Sequence, residues 1–266
     1  MYIKINGQEI ETKFRYVYEL CGNISAEKVI ILNGYQTSGD YELSEGDELF
    51  IIQKGVIPGQ EQLEGMMAAR HTPRVHARVK AAGVAIAGLG GLGSNVAVML
   101  ARTGVGNLLL VDFDVVEPSN LNRQSYYISH LGLPKTIALE KQLKEINPFI
   151  NIKIKNVRVT EENAEELFAG YDVICEAFDN PEAKAVLVNT VLERLHNIKV
   201  VAASGMAGYH SSNLIRTERK MKNLYVCGDF ENEAGTGSGL MAPRVQICAA
   251  HQANMVLRLL LGIEEA

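Results

Sequence analysis

The run Val84-Ala85-Ile86-Ala87-Gly88-Leu89-Gly90-Gly91-Leu92-Gly93 constrains this chain more than any other stretch. Four apolar residues meet a glycine turn, and a segment of helical spacing, Leu92–Thr103, follows it. A strand, a tight turn and a helix start in that order make a nucleotide-binding unit. Gly88 permits the turn after the strand, and Gly90 lets the backbone approach a phosphate. Gly93 lets the helix pack close to the strand, so that the helix N-terminus faces the anion. Gly91 belongs to the same phosphate-facing loop. Asp112 ends the next predicted strand, 24 residues after Gly88. A carboxylate there can accept hydrogen bonds from both ribose hydroxyls, and Asp114 follows close behind it. A glycine turn that binds nothing is the plainer alternative.

Glycines and Asp112 alone would suggest a dinucleotide. The segment Asn120-Leu121-Asn122-Arg123-Gln124, which begins 32 residues beyond Gly88, changes that reading, together with Lys135. A guanidinium and an ammonium beyond the second strand would neutralise charge building on β- and γ-phosphates as pyrophosphate leaves. The amides of Asn120, Asn122 and Gln124 can hold phosphate or ribose oxygens. A polar helix start with a solvated lysine is the competing account. Asp179 follows the predicted strand Val173–Ala177, and Asn180-Pro181 opens a helix. A carboxylate at the C-terminal end of a parallel strand points into the ligand crevice, where it would hold Mg²⁺ against a triphosphate. The alternative is an aspartate capping the helix.

Around these motifs the chain alternates. Strands are expected at Val84–Ala87, Leu108–Asp112, Ile152–Val157, Val173–Ala177 and Val200–Ala203. Helices are expected at Leu92–Thr103, Lys135–Ile146, Glu162–Phe168, Pro181–Leu195 and Pro243–Leu261. That order implies an α/β, Rossmann-like fold, a mostly parallel sheet with helices on both faces. Residues 204–240 lack periodicity and read as a long mobile loop region. Residues 1–57 form a separate unit. Alternation at Tyr2–Ile5, the Asn6-Gly7 hairpin signal, helical spacing from Phe14 and strands at Val29–Leu32 and Glu48–Gln53 give a β-grasp, ubiquitin-like order. Residues 58–71 read as a linker. Thr72-Pro73 starts a helix and the nucleotide-binding domain, 72–266.

The whole chain of 266 residues carries a net charge of -5, which gives no electrostatic reason for a nucleic-acid partner. The small unit contributes nine acidic and five basic residues. No apolar stretch reaches the ~18 residues of a membrane span, and the N-terminus alternates instead of forming a secretion signal. Cys21, Cys175, Cys227 and Cys248 are scattered without a CxxC pair, so neither zinc nor a disulfide framework is expected. The chain reads as cytoplasmic.

The strings GLGGLGSNVA, LVDFDVVEPSNLNRQ, GLPK and FDN, in that order, resemble the ThiF/MoeB family of the ubiquitin-activating-enzyme superfamily. The resemblance runs from about Arg70 to the C-terminus. It implies ATP-dependent adenylation of the C-terminal glycine carboxylate of a small ubiquitin-like sulfur carrier, usually by a homodimer. By matching positions, Asp112 would bind ribose, Asn120, Arg123 and Lys135 would serve the phosphates, Gln124 would support them, and Asp179 would hold the metal. Family members supply an arginine from a dimer partner, and Arg70 is its nearest counterpart here, without the usual tyrosine. Some relatives use a covalent cysteine, for which Cys227 stands as the candidate outside predicted helices and strands. Residues 1–57 resemble ThiS, the carrier of thiamin biosynthesis, which points to a ThiF-type enzyme. Here Gly55-Val56-Ile57-Pro58-Gly59 runs on into further chain, so this unit has no terminal carboxylate to be adenylated.

Overall fold

A computed structural model describes residues 1–22 and 27–266, and every side chain among them except those of 68–71 and 73. The chain divides into two compact units, Met1–His76 and Ala77–Ala266.

The small unit holds β1 (Tyr2–Ile5), β2 (Gln8–Glu11), α1 (Val17–Cys21), β3 (Lys28–Leu32), β4 (Tyr35–Thr37), β5 (Glu48–Gln53) and α2 (Gln60–His71). Its sheet order is β2-β1-β5-β3-β4, with β1 and β5 parallel and the other pairs antiparallel. Asn6-Gly7 and Asn33-Gly34 close the two hairpins with positive φ at both residues, as a two-residue turn matched to strand twist requires. Alternate residues Ile3, Ile30 and Leu49 point to one face, where Val17 and Cys21 of α1 pack with Leu43. This is the β-grasp that the pattern predicts, with β4 added.

The expectation of a linker over 58–71 is corrected. Gln60–His71 is a helix, and its Gln, Glu, Leu, Met and Ala residues are strong helix formers. Gly65 lets it approach the first hairpin. A Cβ on Gly65 would stand 3.1 Å from the Gly7 Cα. Gln62 Nε2 donates to the Ile51 carbonyl at 3.3 Å, and Gln8 Nε2 to Glu61 Oε2 at 3.1 Å.

The next helix, α3 (Pro73–Ala81), begins at the proline that the sequence marks. The large unit then runs β6 (Gly83–Ala87), α4 (Gly91–Thr103), β7 (Asn107–Asp112), α5 (Lys135–Ile146), β8 (Asn151–Asn156), α6 (Glu161–Phe168) and β9 (Val173–Glu176). It continues through α7 (Pro181–Arg194), β10 (Lys199–Ala203), β11 (Arg216–Met221), β12 (Leu224–Gly228) and α8 (Ala242–Leu260). The sheet order is β11-β12-β10-β9-β6-β7-β8, parallel except for the edge strand β11. Five strand residues of β6 are fully buried, as in a sheet covered on both faces. On one face Ala85, Leu109, Ile174 and Val200 meet Phe168 of α6 and Leu187 and Val191 of α7. On the other, α4 packs along α8.

From β6 the chain moves outward to β7 and β8, then returns to β9 on the opposite side of β6. That reversal opens a crevice at the C-terminal ends of β6 and β9, where open α/β sheets take their ligands. Residues 204–240 are not one long loop, because they contain the β11–β12 hairpin.

Candidate nucleotide and phosphate site

The glycine turn sits at that crevice. Gly88 has a φ of +90°, and a Cβ there would lie 2.8 Å from the Ala177 carbonyl oxygen at the end of β9. A Cβ on Gly93 would fall 1.8 Å from the Gly88 carbonyl oxygen, so only glycine allows α4 to start so close to its strand. Gly91 is confined by Val245, with Arg123 carbons 3.5 and 3.6 Å from its missing Cβ. The N–H groups of the first turn of α4 have no partner within the helix and present partial positive charge.

Side chains hold three successive carbonyls of this turn. Tyr126 Oη donates to Leu89 O at 2.8 Å, Ser94 Oγ to Gly90 O at 2.6 Å, and Asn95 Nδ2 to Gly91 O at 2.6 Å. The same residues stitch the Arg123–Tyr126 segment down. Asn95 Nδ2 also reaches Arg123 O at 3.1 Å, Ser125 N donates to Ser94 Oγ at 3.0 Å, and Ser125 Oγ to Asn95 Oδ1 at 2.8 Å. Sequence reasoning singled out none of Ser94, Asn95, Ser125 and Tyr126.

Arg123 is half-buried, and its guanidinium donates to Ser119 O at 3.1 Å and Asn122 Oδ1 at 2.9 Å. Gln124 is buried beside Gly90, its Nε2 3.9 Å from the position of a Gly90 Cβ, and its Oε1 has no hydrogen-bond partner among the described residues. A buried amide oxygen left open in this way is costly unless something fills the site. Asn120 is buried and turned inward, its Oδ1 accepting from Glu117 N at 3.0 Å within the 3₁₀ turn Pro118–Asn120. It shapes the segment, and Asn122 Nδ2 reaches Leu240 O at 3.1 Å.

Asp112 is buried. Its Oδ2 accepts from Leu89 N at 2.6 Å and its Oδ1 from Asp114 N at 2.8 Å, so it braces the glycine turn with lone pairs still available for hydroxyls. Asp114 is half exposed and pairs with Lys135 at 3.0 Å. The pairing arises because Lys135 N also donates to Asp114 O, which seats the start of α5 beside the end of β7. Burial chiefly, and then the charges of Asp112 and Asp114, push the Tyr126 hydroxyl far above its ordinary value, so it remains a donor.

Asp179 is exposed and has no hydrogen-bond partner among the described residues. Capping of α7 falls to Asn180, whose Oδ1 accepts from Ala183 N at 2.9 Å. Asp179 therefore stands two residues beyond Ala177, which abuts Gly88, without a capping duty. Beneath it, the fully buried Glu176 pairs with Lys184 at 2.5 Å and accepts from Phe178 N at 2.7 Å. Burial raises the Glu176 carboxyl, and Lys184 opposes the shift. No group of three or more His, Cys, Asp or Glu is placed to hold a metal among the described residues. The side chain of Arg70 lies outside the described residues.

The expectation that Cys227 lies in a loop is corrected. It is a core residue of β12, fully buried, with its thiol raised to about 11 by burial against a smaller opposing hydrogen bond from Thr217. A thiol so placed is protonated and shielded near neutral pH.

Beyond β10 and β12, two loops share an anchor. Arg244 of α8 forms a buried ion pair with Asp229 and donates to His210 O and Ser211 O at 2.7 and 2.9 Å. Asp229 in turn accepts from Glu231 N and Asn232 N, each at 2.9 Å. Burial disfavours the Asp229 charge most strongly, but these N–H groups, the Asn232 amide and Arg244 together hold its carboxyl down at about 2.

The ThiF family profile matches residues 65–266, and the ThiS-like ubiquitin profile matches residues 1–55. The chain belongs to the ThiF family. It is 38% identical over 131 residues to the molybdopterin-synthase adenylyltransferase of Haemophilus influenzae, covering 49% of this chain and 52% of that protein. It is 40% identical over 109 residues to the sulfur carrier protein adenylyltransferase of Thermus thermophilus, covering 41% of this chain and 40% of that one. The chain therefore matches about half the length of these curated relatives, or less. Among solved structures, E. coli tRNA N6-threonylcarbamoyladenosine dehydratase in complex with ATP superposes with a TM-score of 0.69 at 22% identity, covering 78% of this chain and 98% of that one. This likeness shows the fold. No described helix is long and apolar enough to cross a membrane.

Proposed function

We propose that this ThiF-family chain is an ATP-dependent adenylyltransferase whose substrate is the C-terminal glycine carboxylate of a ThiS-like sulfur carrier in thiamin biosynthesis, and that it acts in the cytoplasm as a homodimer. The observation that carries this reading is the packing of Arg123 and the open amide of Gln124 directly against the glycine turn. A nicotinamide cofactor, which has no triphosphate tail, would leave Arg123 and Lys135 idle. The ThiS-like unit at the N-terminus favours the thiamin carrier, and that unit is not itself the substrate, since the chain continues from Gly59 into α2.

In this reading the first turn of α4 faces the phosphates and Asp112 holds the ribose. The carrier carboxylate attacks the α-phosphorus, forming an acyl-phosphate bond as the bond to pyrophosphate breaks. No protein nucleophile is needed. Arg123 and Lys135 stabilise charge gathering on the leaving pyrophosphate, and placement does the rest. Asp179 fits a Mg²⁺ ligand, because an exposed carboxylate with no other partner suits an ion that takes one or two carboxylates plus phosphate oxygens. The ion would supply further charge neutralisation there.

The test is ATP–pyrophosphate exchange with purified carriers ending in diglycine. Exchange that depends on a ThiS-like carrier is expected, and Arg123→Ala should slow it by ~10²–10³ with the fold intact. Undiminished exchange in that variant would count against the site. A molybdopterin-type carrier is the second reading, because the Haemophilus influenzae relative bears that name. Preference for that carrier in the same assay would replace the thiamin assignment.

A further inference from the structure

We infer that Tyr126 is a positioning residue for nucleotide phosphate, acting through the peptide that joins Leu89 to Gly90. This inference rests on the nucleotide site described above. In a trans peptide the C=O and N–H point in opposite directions. Fixing the Leu89 carbonyl therefore fixes the direction of the Gly90 N–H. Tyr126 Oη does so with a 2.8 Å hydrogen bond, and its side chain is buried with its ring edge-on to His130.

The residues around this peptide make such a clamp necessary. The Leu89–Gly90 peptide turns about ψ of Leu89 and φ of Gly90, and Gly90, which stands at φ -75° without a Cβ, accepts either sense of that turn. The N–H of Leu89 is already given to Asp112 Oδ2. One residue is thus held at both its polar groups, its N–H by Asp112 and its carbonyl by Tyr126. The next two carbonyls are held by Ser94 and Asn95, which belong to the helix itself. Tyr126 alone among these holders comes from the segment that carries Arg123 and Gln124. It ties the direction of the phosphate-facing N–H to the location of the cation. The hydroxyl stays protonated beside Asp112 and Asp114, so the clamp does not loosen with pH in the working range.

Tyr126→Phe removes the hydroxyl and keeps the ring. ATP and adenosine binding to the full chain are measured by calorimetry, with thermal melting of each protein. The clamp predicts that Tyr126→Phe weakens ATP about tenfold and adenosine less than about twofold, since only the phosphates meet Gly90. A general loss of packing would weaken both equally and overturns the inference. Unchanged ATP affinity overturns it as well. Tyr127→Phe, at the exposed neighbouring tyrosine, should leave both ligands unaffected. Should Tyr126→Phe melt too low to assay, the ¹⁵N resonance of Gly90 in the unaltered protein decides. A large shift with ATP and little with adenosine supports the clamp, and equal shifts with both defeat it. Unaltered protein that binds neither ligand overturns the nucleotide reading itself, whereas normal binding with an indifferent variant overturns only the role of Tyr126.

Discussion

Two glycine-bearing stretches, one in each unit, use the same residue for opposite ends. Around Gly88 and Gly93 the space for a side chain is already taken, by the Ala177 carbonyl in one case and the Gly88 carbonyl in the other. Around Gly55 and Gly59 there is nothing within 4 Å. In the large unit glycine is needed because backbone must touch backbone. At Gly55 and Gly59 of the small unit nothing crowds the backbone, and the chain passes on into α2. Between these two stretches, crowding, more than glycine content, separates positions that demand glycine from those that merely hold one.

The strongest way to break this contrast is Gly93→Ala. The added carbon would overlap the Gly88 carbonyl, so α4 must move off β6. We expect a loss on the order of 3 kcal/mol in denaturant unfolding and no measurable ATP binding. Near-normal stability would mean that the crowding is not limiting. The thiols offer a second, smaller comparison. Burial raises both Cys21 of the small unit and Cys227 of the large one, Cys227 to about 11. At pH 8 the Cys227 thiolate fraction is then on the order of 10⁻³, rising as pH approaches 11. Cys227 should resist alkylation until the large unit unfolds, and Cys227→Ala should leave pyrophosphate exchange within about twofold. Rapid native labelling at Cys227, with exchange lost in step, would return that thiol to the chemistry. Gly59→Ala should cost no more than about 1 kcal/mol, because no neighbour would meet the added carbon and the loss is confined to a weaker cap at the start of α2. A larger effect would show that the small unit's tail is constrained after all.

The β6–turn–α4 unit was legible because periodicity changes sharply at the glycines, and α5 begins at the expected Lys135. Helix α2 was missed because Pro58-Gly59 before it and Thr72-Pro73 after it look like punctuation for a loop. Its helix-forming interior was the available signal. The β11–β12 hairpin was missed for two reasons. β11 reads Arg-Thr-Glu-Arg-Lys-Met, a charged edge strand without an apolar face, and β12 is too short for periodicity to separate strand from buried helix. Within the site, the charged residues stood out by type and spacing. Ser94, Asn95, Ser125 and Tyr126 did not, since their role comes from two segments about 30 residues apart folding together. The turn's own sequence also hid that Asp112 would brace it.

The shared anchor of the two loops past β10 and β12 has a mechanical consequence. Asp229 stays ionised until strong acid, since its pairing adds stability above the ordinary aspartate range that fades only as pH falls towards about 2. Throughout physiological conditions the backbone at His210–Ser211 and the backbone at Glu231–Asn232 are therefore riveted to one guanidinium–carboxylate joint. Displacing either loop therefore means breaking the same joint that holds the other.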